Sequence, residues 1–288
     1  MEHKWKFKLG VGVDVDGQLE YDCPFDKVDA GFDYIEMPAS FGGMPFNSDA
    51  KWAEMLAKLR TAKQPVLCTN DYIRHFGLTL CGPKHDEEQC KYWASKLFPR
   101  LNEAGVKYVG VFGSYFPDIE GFDRNKAYDQ AIASCNVMAD WAEKYGMIIA
   151  LEPCDRANCL WNYYLDGLKF AKETGRRSIR VMADLNYFVS LNQKLEDVLA
   201  DPGYLCGVHI QGNNAPGMPS WAGQPNVGNR MPVIRRFFEI LKEMDYDKTV
   251  TCACAWASTT GKTPIDYEYE TGYTLKYLQN VLDEIYSK

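Results

Sequence analysis

The sequence has little net positive charge, no long apolar run and no paired-cysteine motif, and each absence removes a class of function. Formal net charge is -7, which leaves no basic footprint for nucleic acid or an anionic membrane surface. No apolar stretch is long enough to span a bilayer. The first residues, Met1 to Leu9, lack the apolar core of a secretory signal. The expectation is a cytoplasmic protein with no nucleic-acid or membrane partner. Ten cysteines are present, yet no C-x-x-C pair occurs, which argues against a zinc ribbon or a thioredoxin-like site. Without an export signal a disulfide framework is also unexpected, so the thiols read as reduced, buried small residues. No Gly-rich phosphate fingerprint follows the first strand-like segment, which argues against dinucleotide binding. Low-complexity stretches and linkers are absent, and residues 1–288 read as one domain.

What is present is an alternation of short apolar runs and helical periodicities. Strand-like segments are expected at Lys8–Val15, Asp33–Met37, Pro65–Thr69, Lys107–Phe112, Met147–Glu152, Ile179–Asp184, Leu205–Ile210 and Thr249–Cys254. Between them lie a short helix ending at Ala30-Gly31 and helical patterns over 49–62, 86–103, 124–145, 162–174, 194–200, 232–245 and 267–286. Trp52, Met55, Leu56 and Leu59 illustrate the helical spacing, and Gly105, Gly146 and Gly175 stand where helices close. Eight such repeats predict a parallel sheet closed into a single-domain (β/α)8 TIM barrel, an architecture typically of ~250 residues. The longest irregular segment, 211–231, contains several prolines and glycines and is expected to be a lid.

In a (β/α)8 barrel the chemistry sits at the C-terminal ends of the strands. Three successive segments carry polar residues there: Glu152, Asp184 and His209. Two carboxylates and one imidazole can converge on a divalent cation. That donor set suits Mn2+, Mg2+, Co2+ or Fe2+ better than a metal that prefers thiolate.

The phrases Asp29-Ala-Gly-Phe-Asp-Tyr-Ile-Glu36, Ala150-Leu-Glu-Pro153, Ala183-Asp184, Val208-His209 and Tyr246-Asp247 carry a family resemblance. The chain resembles the xylose-isomerase-like superfamily of sugar isomerases and epimerases, and within it the ketose 3-epimerases. The resemblance implies metal ligation by Glu152, Asp184 and His209, Mn2+ foremost, with Glu152 also acting as acid/base. It also exposes departures. Ala253 stands where the family places a fourth ligand and second acid/base, a Glu on strand 8, and no carboxylate occurs between Asp247 and Asp266. Tyr187 replaces a His, Asn158 a substrate-binding Glu, and Ala215 a substrate-binding Arg.

Other residues fill out the expected mouth. Cys252 or Cys254 can face the metal or pack outward, depending on strand register. Gln211 and Asn186 lie two residues beyond His209 and Asp184 and can contact metal or substrate. His75 is a candidate acid/base or hydroxyl binder in the loop after strand 3, which also holds His85. Glu36 can reach the substrate or hold Arg156 or a lysine in a structural pair. Trp161, Trp221 and Trp256 follow strands 5, 7 and 8 and can stack on a sugar ring. The implied activity is metal-dependent isomerisation or epimerisation of a sugar or keto-sugar by proton abstraction next to a carbonyl. The alternatives are a keto-sugar lyase, of the dehydratase or C-glycoside-cleaving type, and a non-catalytic sugar-binding or partner subunit. Expected partners are a small carbohydrate or glycoside, unphosphorylated for want of an Arg/Lys cluster. A homo-oligomer is expected, with a hetero-oligomer as the alternative.

Overall fold

The computed structural model describes residues 4–13, 25–39, 48–70, 78–156, 158–210, 230–253 and 266–288. Eight strands form a closed parallel barrel in sequence order: β1 (Lys8–Gly12), β2 (Tyr34–Pro38), β3 (Val66–Asn70), β4 (Tyr108–Phe112), β5 (Ile148–Glu152), β6 (Ile179–Asp184), β7 (Leu205–Ile210) and β8 (Thr249–Cys252). The ring closes where β8 pairs with β1, Thr251 standing level with Gly10. Around it lie α1 (Asp49–Leu59), α2 (Glu87–Ala104), α3 (Arg124–Lys144), α4 (Tyr164–Glu173), α5 (Leu185–Ser190), α6 (Met231–Glu243) and α7 (Tyr267–Tyr286). Closure as a barrel, rather than an open sheet, agrees with the pattern in the sequence.

The boundaries differ in instructive ways. β1 ends at Gly12 and β8 at Cys252, shorter than expected; Val13 and Ala253 still bond to neighbouring strands through Glu36 O and Ile210 O. Among the described residues, the expected helix ending at Ala30-Gly31 is represented by a 3-10 turn, Phe25–Lys27, and the segment 194–200 is also 3-10, at Leu195–Ala200. The unexpected helix is α5. Asp184 starts it by accepting from Asn186 N at 2.7 Å, so one carboxylate both ends a strand and caps a helix.

Alternation along each strand divides the core in two. Outward residues such as Val111, Ile149, Leu151, Val208 and Val250 pack against the helices in one large apolar cluster. Inward residues Ala150, Met182 and Cys206 fill the lower barrel beside Tyr108 and Ile148. The inward side of β1 is nearly empty of side chains because Tyr34 of β2 lies across it. A Cβ on Gly10 would meet the Tyr34 ring at 2.1 Å. Glycine at position 10 therefore lets a fully buried tyrosine cross the barrel and aim its hydroxyl at β8. The eight cysteines among the described residues are unbonded and buried. Cys154 and Cys159 approach to 3.6 Å between sulfurs.

Candidate metal centre

Glu152, Asp184 and His209 end three adjacent strands on the inward face, so the barrel brings together residues up to 57 positions apart without any special loop. Asp184 and His209 are level in the β6–β7 register. All three side chains are buried. One donor atom from each lies within 4.8 Å of the other two. His209 Nδ1 is 3.5 Å from Glu152 Oε1 and 3.9 Å from Asp184 Oδ2. Donors bound to one ion at about 2.1 Å stand about 3–4 Å apart, so the set fits a divalent cation. Asp184 is pre-oriented, since its Oδ1 caps α5 while Oδ2 faces the imidazole.

The cluster is electrostatically unbalanced by itself. Burial, reinforced by the neighbouring Glu152 carboxylate, pushes Asp184 up to about 8. Burial opposes the charged form of His209, but the carboxylates of Glu36 and Glu152 outweigh it and hold the imidazole well above its ordinary value. Asp184 and His209 thus both hold protons that a cation would displace.

Glu36 occupies the far side of His209. Its Oε1 and Oε2 lie 3.0 and 3.1 Å from Nε2, while Thr251 donates to Oε2 at 3.0 Å. The Tyr34 hydroxyl shares a 2.6 Å hydrogen bond with Thr251 Oγ1. Of the two pairings open to Glu36 in the sequence, neither Arg156 nor a lysine is the partner found; Arg156 lies over the Phe112 ring, 5.2 Å from its centroid.

The other expected residues divide. Asn186 is buried, and its Oδ1 lies 3.4 Å from Arg230 Nη2. Tyr187 leans on Phe112, with ring centroids 5.9 Å apart. Burial, and then the charges of Asp184 and Glu152, hold its phenol far above the ordinary value, so it stays protonated. Asn158 is exposed, with φ +67°, and its carbonyl accepts from Asp118 N at 2.6 Å. Its side chain is not joined to the cluster by any contact found. His85 bonds Ser134 Oγ at 2.9 Å, and Trp161 is buried against Phe116 and Phe170; both are packing residues. His75, Gln211, Trp221, Trp256, Cys254 and all but the last two residues of the expected lid 211–231 lie outside the described residues.

Register decides the question of Cys252. Thr249 and Thr251 face the barrel interior, whereas Val250 and Cys252 belong to the outer core. Cys252 therefore points away from His209 and is not among the cation donors found. Three contributors went unnoticed in the sequence: Thr251, Tyr34 and Arg230. Tyr34 was legible in principle, being two residues from the candidate Glu36 on the same strand face, whereas Thr251 waited on the register of β8.

Fold and site together define a (β/α)8 barrel protein with a candidate divalent-cation centre at the C-terminal mouth. The chain belongs to the Xylose isomerase-like TIM barrel family, which matches residues 27–280. It is 24% identical over 235 residues to the D-psicose 3-epimerase of Agrobacterium fabrum (strain C58 / ATCC 33970), covering 78% of this chain and 74% of that one. The crystal structure of D-psicose 3-epimerase with D-tagatose from Clostridium cellulolyticum H10 superposes with a TM-score of 0.71 at 20% identity, over 96% of this chain and 99% of that one. A 3-keto-D-glucoside 4-epimerase from E. coli gives 0.67 at 15% identity, over 98% and 100%.

Proposed function

We propose that this protein is a divalent-metal-dependent isomerase or epimerase of a small, unphosphorylated sugar or keto-sugar. The observation that carries the reading is the convergence of buried Glu152, Asp184 and His209 within 4.8 Å. The epimerases it resembles act on ketoses and on a keto-glucoside, substrates in which a C–H adjoins a carbonyl. A cation bound there, Mn2+ foremost and Mg2+, Co2+ or Fe2+ as alternatives, would polarise the carbonyl and acidify that C–H. Glu152 takes the proton as general base. Asp184 holds its geometry through the helix cap, and Asn186 and Arg230 offer polar atoms at the rim for sugar hydroxyls. Asn158, Gln211, Trp221 and Trp256 remain our candidates for the rest of the sugar site, with His75 as a further acid/base; Glu36, the remaining sequence candidate, is turned to His209 and Thr251 instead. We further place the protein in the cytoplasm as a homo-oligomer. The test is solvent exchange: protein loaded with Mn2+ is incubated in D2O with D-psicose, D-fructose and a 3-keto-glucoside. Deuterium should enter the carbon next to the carbonyl of at least one, and Glu152→Gln should prevent it. No exchange into any keto-sugar would overturn the reading.

A lyase is the second reading, and one observation favours it. Position 253, just past β8 and two residues beyond inward-facing Thr251, is alanine, so strand 8 supplies no carboxylate there for a second proton transfer. Elimination needs one base and a separate acid. Tyr187, held protonated by burial, can donate to a departing oxygen. Product analysis of the same incubations separates the readings, since elimination leaves an unsaturated product or a free aglycone.

A further inference from the structure

We infer that Glu36 is a positioning residue for the candidate metal centre: when a cation displaces the second imidazole proton, Glu36 keeps His209 protonated at Nε2 and leaves Nδ1 turned towards Glu152, Asp184 and the cation. The inference rests on the proposed metal reading and adds a residue that does not touch the cation. A neutral imidazole carries one N–H, and the partner of one nitrogen decides which nitrogen is free to bind a metal. Here both nitrogens face carboxylates, Nε2 at hydrogen-bond distance and Nδ1 across a wider gap that a cation can occupy. Nε2 faces a carboxylate, an obligate acceptor, at 3.0 and 3.1 Å. Nδ1 faces the donor atoms of Glu152 and Asp184 at 3.5 and 3.9 Å. Reversing the tautomer would set a lone pair against Glu36, which like charge opposes, and would fill the cation position with a proton.

Glu36 is itself held. It is buried, and its Oε2 accepts from Thr251, which is anchored by the Tyr34 hydroxyl that Gly10 admits. Among the described residues Oε1 has no hydrogen-bond donor of its own and lies 3.0 Å from His209 Nε2, so the carboxylate's charge is directed at the imidazole. The chain thus lacks a carboxylate at position 253, in front of the metal position, but keeps one behind the histidine. Negative charge passed through an imidazole strengthens its donor nitrogen, and loss of such a partner typically weakens metal binding about 10–100-fold.

The experiment uses Zn2+, which is diamagnetic, and the full chain labelled with 15N-histidine. Metal affinity is read by competition with a chelator, and the His209 nitrogens by NMR, assigned through His209→Gln. Wild-type protein should show Nε2 protonated and Nδ1 metal-bound. Glu36→Leu should weaken Zn2+ about 10–100-fold and mix the tautomers. Glu36→Gln, which keeps an acceptor but loses the charge, should fall between the two. Should Glu36→Leu fail to fold, Thr251→Val disturbs the same carboxylate without touching it or the metal position: it should weaken Zn2+ several-fold, and Thr251→Ser should restore it. Wild-type uptake at this site with unchanged affinity in Glu36→Leu and Thr251→Val, or with Nε2 on the metal, would overturn the assignment alone. Wild-type protein that takes up no Zn2+ here would overturn the metal centre and the assignment with it.

Discussion

Thr251 stands directly opposite His209 in the pairing of β7 with β8, which places Ala253 one inward step nearer the mouth. A carboxylate at 253 would stand two residues beyond Thr251, on the segment paired with the end of β7. We predict that Ala253→Glu raises epimerisation of free ketoses by about 10²-fold or more, the usual worth of an added acid/base group. The rate for D-fructose or D-psicose with Mn2+ checks this. A wild-type rate already at ordinary enzyme levels would show that another group fills the role.

Asp184→Ala should abolish metal retention. It removes one donor and the cap of α5 together, so Asp184→Asn, which keeps a capping oxygen, separates the two effects. Both variants should lose metal by elemental analysis, while Asp184→Asn should keep more of the thermal stability. Full metal content in Asp184→Ala would refute the ligand set.

Stability of the metal-free protein should depend on pH with a definite sign. An unfolded Asp releases its proton near pH 4, whereas Asp184 in the folded chain holds it to about 8. Between those values the folded state binds the extra proton, so stability falls as pH rises. His209, also raised, acts in the same direction: its contribution is complete below about pH 6.5 and is lost as pH rises through its folded value. A bound cation replaces these protons. The gap in Tm between metal-loaded and chelator-treated protein should therefore widen from pH 6 to pH 8.5. A gap that narrows would contradict the assignment of both groups.

Gly10→Ala should destabilise the fold by about 1–3 kcal/mol, because the new methyl overlaps the Tyr34 ring in a filled core. By displacing the Tyr34 hydroxyl from Thr251 it should also weaken metal binding at a distance. Chemical denaturation and chelator competition on the same preparation read the two effects.

We propose that the segment 211–231, with its prolines and Trp221, covers the mouth. Limited proteolysis should cut within it, and a sugar that exchanges deuterium should slow the cut. Equal cleavage with and without every active sugar would argue against a lid.

Much of the protein was determined by its sequence alone. Eight apolar runs alternating with helical repeats define a (β/α)8 barrel through local periodicity, and Glu152, Asp184 and His209 were visible because strand ends in that architecture face one mouth. What the sequence could not decide depended on alternation, register and long-range approach. Whether Cys252 faced the metal turned on a single step along β8, and the register turned it outward. Glu36 could serve the sugar, a cation or an imidazole, since a buried carboxylate takes whatever donor the fold delivers; the closing of β8 on β1, with Gly10 admitting Tyr34, delivered Thr251 and His209. The sequence determined which residues could do chemistry, through composition and period, and the tertiary structure decided which of them meet, because contacts between residues 173 and 215 positions apart leave no local trace.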